Sequence, residues 1–218
     1  MIEEILPSPV AAVEAFGDLP DAQLFPEEHA VIGQAVDTRR REFATGRACA
    51  RAALARLGQP PVAILRGDRG SPGWPPGIVG SITHCAGYRA AAVGRAADLL
   101  AIGLDAEPDQ PLPGGVLDVV ALGAEQERLR DLAKAAPGPN WDRMLFCAKE
   151  TVYKAWFPLT GRWLGFDGAE ITLDPAGGTF TARLLVPGAT ADGRELTAFA
   201  GRWVARRGLI VTAICVPR

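Results

Sequence analysis

Two acids stand two residues apart in Gly103-Leu104-Asp105-Ala106-Glu107, at the end of an apolar run and just before Pro108. In an extended strand, side chains at i and i+2 share a face, so Asp105 and Glu107 are expected side by side. Adjacent carboxylates repel unless a cation neutralises them, and hard oxygen ligands completed by water and phosphate suit Mg²⁺. Taken alone, the segment reads as a solvated strand end. A second set is Phe146-Cys147-Ala148-Lys149-Glu150-Thr151-Val152-Tyr153-Lys154. On a helix, Trp141, Leu145, Ala148, Val152 and Trp156 form one apolar stripe. Glu150 and Lys154 then lie four residues apart on the other face, an ordinary surface ion pair were Phe146 and Tyr153 not flanking it. A third set, Gly80-Ser81-Ile82-Thr83-His84, places small and hydroxyl residues near a strand end, where N–H groups and hydroxyls are free for a ligand and His84 can donate to a phosphate. The fourth is basic: Arg39, Arg40, Arg41 and Arg47 on one early helix, Arg66 and Arg69 in a later loop. Guanidinium forks bind phosphate in pairs of hydrogen bonds. The spacing of Arg40 and Arg47, about two turns, puts them on one helix face with Arg39 nearby.

These groups need elements to carry them. Residues 1–25 read as irregular, because Pro7, Pro9 and Pro20 break any helix. A helical zone runs from about Glu27 to Leu57, its later part capped by Asp37 or Thr38 and ended by Gly58 with Pro60-Pro61 behind it. A short strand is expected at 62–65, then a Pro/Gly-rich loop over 66–77. Strands follow at 78–83, 90–94 and 100–105, and helices at about 116–122, 124–135 and 141–156, the last capped by Asn140. The remainder reads as strands at 170–173, 179–185, 198–205 and 209–216. Helix then strands, twice, indicates an α+β protein of two comparable halves, 1–100 and 101–218, each a small mostly antiparallel sheet with packed helices.

The composition narrows the class. The chain has 218 residues, 48% of them apolar and 22% charged, which is an ordinary globule rather than a disordered chain. A formal net charge of −2 argues against a nucleic-acid partner. No apolar run of membrane-spanning length and no secretion leader are evident. Four scattered cysteines without a C-x-x-C spacing predict reduced thiols in a cytoplasmic protein. Only three of the 23 basic residues are lysines, Lys134, Lys149 and Lys154. Two of them fall close together, as if a compact ammonium were wanted there.

Together and in this order, Gly46-Arg47-Ala48-Cys49-Ala50, Trp74-Pro75 with Gly80 to His84, Gly103 to Glu107, and Phe146 to Lys154 resemble the signature series of the Sfp/EntD-type 4'-phosphopantetheinyl transferases. The likeness extends through Phe157-Pro158-Leu159-Thr160 and Arg162-Trp163-Leu164-Gly165-Phe166 and is nearest to the single-chain actinobacterial enzymes. The resemblance implies two pseudo-symmetric halves with coenzyme A between them. The implied reaction moves the phosphopantetheine arm of coenzyme A to a Ser hydroxyl of an acyl or peptidyl carrier domain of fatty-acid, polyketide or peptide synthesis, releasing adenosine 3',5'-bisphosphate. It implies that Asp105, the Ala106 carbonyl, Glu107 and Glu150 hold Mg²⁺, or Mn²⁺. It also implies that Arg39, Arg47, the segment Arg66-Gly67-Asp68-Arg69, Ser81, Thr83 and His84 grip the nucleotide. Glu150 is expected as the base and Lys154 on the transferring diphosphate, with Lys149 an anchor. Internal pseudo-symmetry mimics a dimer of half-size chains, so a monomer is expected. A Mg²⁺-dependent phosphohydrolase or nucleotidyl transferase on free nucleotides, or a non-catalytic coenzyme A-binding scaffold, would use the same groups. Ala106 and Thr151 depart from the commoner family residues at those positions, which bears on carrier choice rather than on the charged set.

Overall fold

The structure, a computed structural model, describes residues 1–136, 138–186, 190–191 and 193–218. A 3-10 turn at Ile2–Ile5 leads into β1 (Ala11–Phe16), α1 (Pro26–Ile32) and α2 (Asp37–Arg56). Next come β2 (Ile78–Cys85), β3 (Tyr88–Arg95) and β4 (Leu99–Pro108), then α3 (Val116–Val120), α4 (Gly123–Ala135) and α5 (Trp141–Thr160). The chain closes with β5 (Ala169–Asp174), β6 (Thr179–Leu184), the two-residue strands β7 (Thr190–Ala191) and β8 (Arg194–Glu195), β9 (Ala198–Arg206) and β10 (Leu209–Pro217).

The strands form two antiparallel sheets, β1-β3-β2 and β4-β10-β9-β6-β5, with β7 and β8 paired apart. The period-2 alternation of the central strands decides the layering. On β3, Ala91 and Val93 face α2, beside Ala50, Ala53 and Leu54. Tyr88, Ala90 and Ala92 face the other way, against Ile102, Leu104 and Ala106 of β4 and Leu209, Val211 and Ala213 of β10. The opposite face of β10, Ile210 and Ile214, packs with Leu145, Val152 and Trp156 of α5. The result is helix, sheet, sheet, helix, an α+β arrangement of two halves. Their sheets differ in size, but in each the first strand, β1 or β4, lies at an edge and pairs with the last, β3 or β10.

One buried construction recurs in both halves. Glu28 in the first turn of α1 accepts the N–H of Ile64 at 2.8 Å and pairs with Arg51 of α2 at 2.9 Å. Glu125 in the first turn of α4 accepts the N–H of Ile171 at 2.6 Å and pairs with Lys149 of α5 at 2.9 Å. The pseudo-symmetry is thus written in buried ion pairs rather than in residue identity.

Several local expectations change. Residues 11–16 are a strand, because proline excludes helix but leaves room for Ala11–Phe16 to pair with β3. The helical zone is two helices. Residues 62–65 join no sheet; side chains hold the Ile64 backbone instead of a ladder. Neither Thr38 nor Asn140 caps through its side chain: Val36 precedes Asp37 at the start of α2, and Asn140 turns its amide to Asp109 at 2.9 Å. α5 continues past 156 through Pro158 to Thr160 and stops at Gly161, whose φ of 64° belongs to the left-handed region. All four cysteines are free, Cys49 and Cys147 buried. Among the described residues, no helix is long and apolar enough to cross a membrane.

Candidate active site

β2 and β4 run alongside each other in parallel where the halves meet, without forming a ladder. Two hydroxyls of β2 stand in for carbonyls: Ser81 Oγ accepts the N–H of Leu104 at 3.2 Å, and Thr83 Oγ1 accepts that of Ala106 at 3.1 Å. Above this seam, between α2 and α5, lies a cavity of about 580 Å³. Its floor and walls draw on both halves.

The alternation of β4 sends Ile102, Leu104 and Ala106 into the core between the sheets, and Gly103, Asp105 and Glu107 toward α5. Gly103 lets the helix come close: a Cβ there would stand 2.2 Å from the Thr151 carbonyl oxygen and 3.0 Å from Ala155. That approach brings Lys154 Nζ to 2.6 Å from Asp105 Oδ1 and 3.1 Å from the Leu104 carbonyl. Thr83 also donates to Asp105 Oδ1, at 3.1 Å. Asp105 Oδ2 is buried with no hydrogen-bond partner. Arg143 holds Glu107 at 2.9 Å. Even so, burial and then the Asp105 charge push the Glu107 carboxyl above the ordinary carboxylate range. The Glu150 carboxyl is pushed the same way by burial and then Asp105, with Glu107 adding to the effect. Burial opposes the charge of Lys154, but Asp105 and Glu150 outweigh it and hold its pKa above the usual lysine value.

Glu150, Lys154, Tyr153 and Phe157 form the α5 wall of the cavity. The Tyr153 hydroxyl is buried and unpartnered, and its ring lies 5.0 Å from that of Trp163. Opposite stand Arg39, Arg47, Arg66, Arg69, Ser81 and His84. Arg47 is buried, stacks 4.1 Å over Phe43, and donates through Nε to the Ile64 carbonyl at 2.7 Å. Burial pushes its pKa down to about 10, which leaves it charged at neutral pH. Arg39 lies against the His84 ring and on Glu42 at 3.2 Å. Burial and the Arg39 charge push the His84 ring well below the ordinary imidazole value, so it is neutral at pH 7 with one N–H to give. Arg69 takes a left-handed φ of 52° and reaches across to the Trp163 ring at 5.4 Å.

The structure does not put every expected residue on the cavity wall. Gly67 and Asp68 shape the loop instead: the Gly67 N–H bonds the Ser71 carbonyl at 2.7 Å, and the Asp68 carbonyl accepts Ser71 Oγ at 2.9 Å. Thr83, Asp105, Ala106 and Glu107 sit behind the wall, at the seam. The Ala106 N–H points to Thr83, and a strand residue turns its N–H and C=O to the same edge, so its carbonyl faces the seam rather than β10. Arg40 shares a helix face with Arg47, as its spacing predicts, but its side chain does not join the cavity wall. It reaches back to the Gly33 carbonyl, while Arg41 pairs with Asp18 at 3.3 Å. Lys149 is the expected anchor, with its three donors on Phe166 O, Ala169 O and Glu125 at 2.7, 2.7 and 2.9 Å. Glu42 and Arg143 were not foreseen. Glu42 could have been read from its i, i+3 spacing to Arg39, whereas Arg143 meets Glu107 only through the tertiary fold.

Two acids with raised pKa values and an orphaned buried oxygen on a third fit a hard divalent ion. Among the described residues, no three His, Cys, Asp or Glu side chains form a ready-made metal cluster. Lys154 and Arg143 instead occupy Asp105 Oδ1 and a Glu107 oxygen. The donor set therefore suits an ion that takes one or two carboxylates and leaves the rest of its sphere to water and phosphate.

Residues 27–94 match the family described as the 4'-phosphopantetheinyl transferase N-terminal domain, and residues 101–197 the 4'-phosphopantetheinyl transferase superfamily. The chain is 58% identical over 219 residues to 4'-phosphopantetheinyl transferase Svp of Streptomyces mobaraensis, covering 99% of this chain and 89% of the relative. It is 50% identical over 223 residues to PptT of Mycobacterium tuberculosis, covering 98% and 97%. Identity to enterobactin synthase component D of Salmonella typhi is 32% over 176 residues, covering 81% and 71%.

Proposed function

The chain belongs to the 4'-phosphopantetheinyl transferase superfamily, a family of transferases, and from that premise we propose that it moves the phosphopantetheine arm of coenzyme A to a serine of an acyl or peptidyl carrier protein. The observation that carries this reading is one cavity with arginines on one wall and Glu150 and Lys154 on the other. The N-terminal half grips the nucleotide and its phosphates through Arg39, Arg47, Arg66 and Arg69, with Ser81 and neutral His84 donating hydrogen bonds. Tyr153, Phe157 and Trp74 line an apolar stretch that suits the uncharged arm.

Asp105, Glu107, Glu150 and the Ala106 carbonyl would hold Mg²⁺ or Mn²⁺. When bound, that ion supplies Lewis-acid neutralisation of the diphosphate. Glu150 takes the proton from the carrier serine hydroxyl, which then attacks the phosphorus bearing the pantetheine arm. The bond from that phosphorus to the oxygen shared with the nucleotide breaks, and adenosine 3',5'-bisphosphate leaves. Lys154 meets the charge that grows on the departing phosphate. Its lysine identity matters, since a compact ammonium reaches Asp105 and the phosphate from one stem. Positioning and charge neutralisation dominate, as in phosphoryl transfer generally.

The test incubates the protein with coenzyme A, Mg²⁺ and an apo carrier protein and weighs the carrier. A gain of one phosphopantetheine arm is expected. Inorganic phosphate released from free nucleotides with no carrier modified would indicate a hydrolase, and coenzyme A binding without transfer a scaffold.

A further inference from the structure

We infer that Glu28 is a positioning residue for the nucleotide wall, acting through Arg47 and the segment that enters Arg66; this rests on the reading of the cavity as a coenzyme A site. Residues 62–65 belong to neither sheet, yet Ile64 is fully buried. Its backbone is satisfied by two side chains: its N–H by Glu28 Oε1 at 2.8 Å, its carbonyl by Arg47 Nε at 2.7 Å. Arg66 follows two residues later and points into the cavity. The Ile64 carbonyl and the Phe43 ring fix the plane of Arg47, so the same short segment aims both guanidiniums. Glu28, itself fully buried, fixes the segment at Ile64, and the Gly73 N–H on the Leu65 carbonyl at 2.8 Å ties the next residue to the loop that follows. The two Glu28 oxygens also take Arg51 Nη1 at 2.9 and 3.0 Å and the Phe25 N–H at 2.9 Å. A buried carboxylate with every partner in place has one geometry available to it.

The matching clasp supplies the control. Glu125 accepts the Leu122 and Ile171 N–H groups and Lys149 in the same way. However, it secures α5, the wall that carries Glu150. The same chemical change in the two clasps should therefore act on different kinetic parameters, which a general loss of stability would not produce.

The experiment measures steady-state transfer to an apo carrier protein, and calorimetric binding of adenosine 3',5'-bisphosphate, at a temperature where each variant's melting curve shows it folded. Glu28→Gln is expected to raise KM for coenzyme A and Kd for the bisphosphate about tenfold, with kcat changed less than about twofold. Arg51→Lys, which keeps the charge but shortens the reach to Glu28 and loses the Nη2 bond to the Gln23 carbonyl, should move the same two quantities in the same direction. Glu125→Gln should leave KM and Kd unchanged and lower kcat. Folded Glu28→Gln with unchanged KM and Kd overturns the proposal, as does an equal rise in KM for Glu125→Gln. Should Glu28→Gln not fold, Arg51→Lys decides by the same two readouts. Wild-type protein that binds no bisphosphate and modifies no carrier defeats the reading of the cavity itself, an outcome distinct from wild-type activity with an indifferent Glu28.

Discussion

Burial and then the Asp105 charge work against the ionised form of Glu150. Its folded pKa lies above that of the unfolded chain, so the folded state binds the proton more tightly. Stability from this residue is gained as pH falls, and at neutral pH its charge costs stability. Glu150→Gln is therefore expected to lower transfer by roughly 10²–10⁴-fold while raising the melting temperature, with ~2–4 °C expected for each kcal/mol relieved. A variant that loses activity and melts lower would contradict this. The same shift sets the acid limb of kcat/KM above the ordinary carboxylate range. Raising Mg²⁺ should move that limb to lower pH, because metal and proton compete for the same oxygens. A pH–rate profile at two Mg²⁺ concentrations checks both statements. Lys154→Met strips Asp105 of its close cation and leaves a mostly buried carboxylate with one hydroxyl donor. A stability loss of about 1–3 kcal/mol and a lower kcat are expected from denaturant titration and kinetics. An unchanged kcat would remove Lys154 from the mechanism.

The elements matter for the distances they set. β4 and α5 touch at Gly103, where a side chain would meet the backbone of Thr151 rather than a side chain able to move aside. Gly103→Ala should push α5 outward, costing about 1–3 kcal/mol of stability and lowering transfer, since Glu150 and Lys154 ride on that helix. If transfer stays normal, the close approach is not what positions them. The β2–β4 seam works by substitution: a threonine hydroxyl stands in a ladder position, accepts from Ala106 and donates to Asp105. Thr83→Val keeps the shape but orphans the Ala106 N–H and leaves Asp105 Oδ1 to Lys154 alone, at a cost of about 1–3 kcal/mol in chemical denaturation.

Across the whole molecule, the cavity exists only because two similar halves meet with their helices on either side of one seam. A ligand that spans both walls ties the halves together in the folded state alone. Coenzyme A with Mg²⁺ at one hundred times its Kd should stabilise the protein by about 2.7 kcal/mol, read as a rise in melting temperature. Adenosine 3',5'-bisphosphate should do likewise at its own multiple of Kd. If coenzyme A causes no shift, it does not occupy the cavity.

The sequence by itself determined whatever depends on short range and on residue type. The period-2 run of β4 set Asp105 and Glu107 on one face, and helical periodicity gave α5 its apolar stripe with Glu150 and Lys154 opposite. The excess of arginine over lysine singled out Lys149 and Lys154. The order of these motifs carried the family resemblance and the α+β class. Long-range pairing was decided by the tertiary structure. Only contact across the seam told Asp105 that its near partner is Lys154 and Glu107 that its partner is Arg143. Residues 62–65 have strand-like composition, but Ile64 gives its N–H to Glu28 and its carbonyl to Arg47, groups that no local pattern connects to it. Arg40 and Arg47 fit one helical face by spacing, yet the flexible stem of Arg40 carries its charge back to the Gly33 carbonyl. Local propensity depends on neighbours a few residues away, whereas a buried charge goes wherever the folded chain leaves a partner for it.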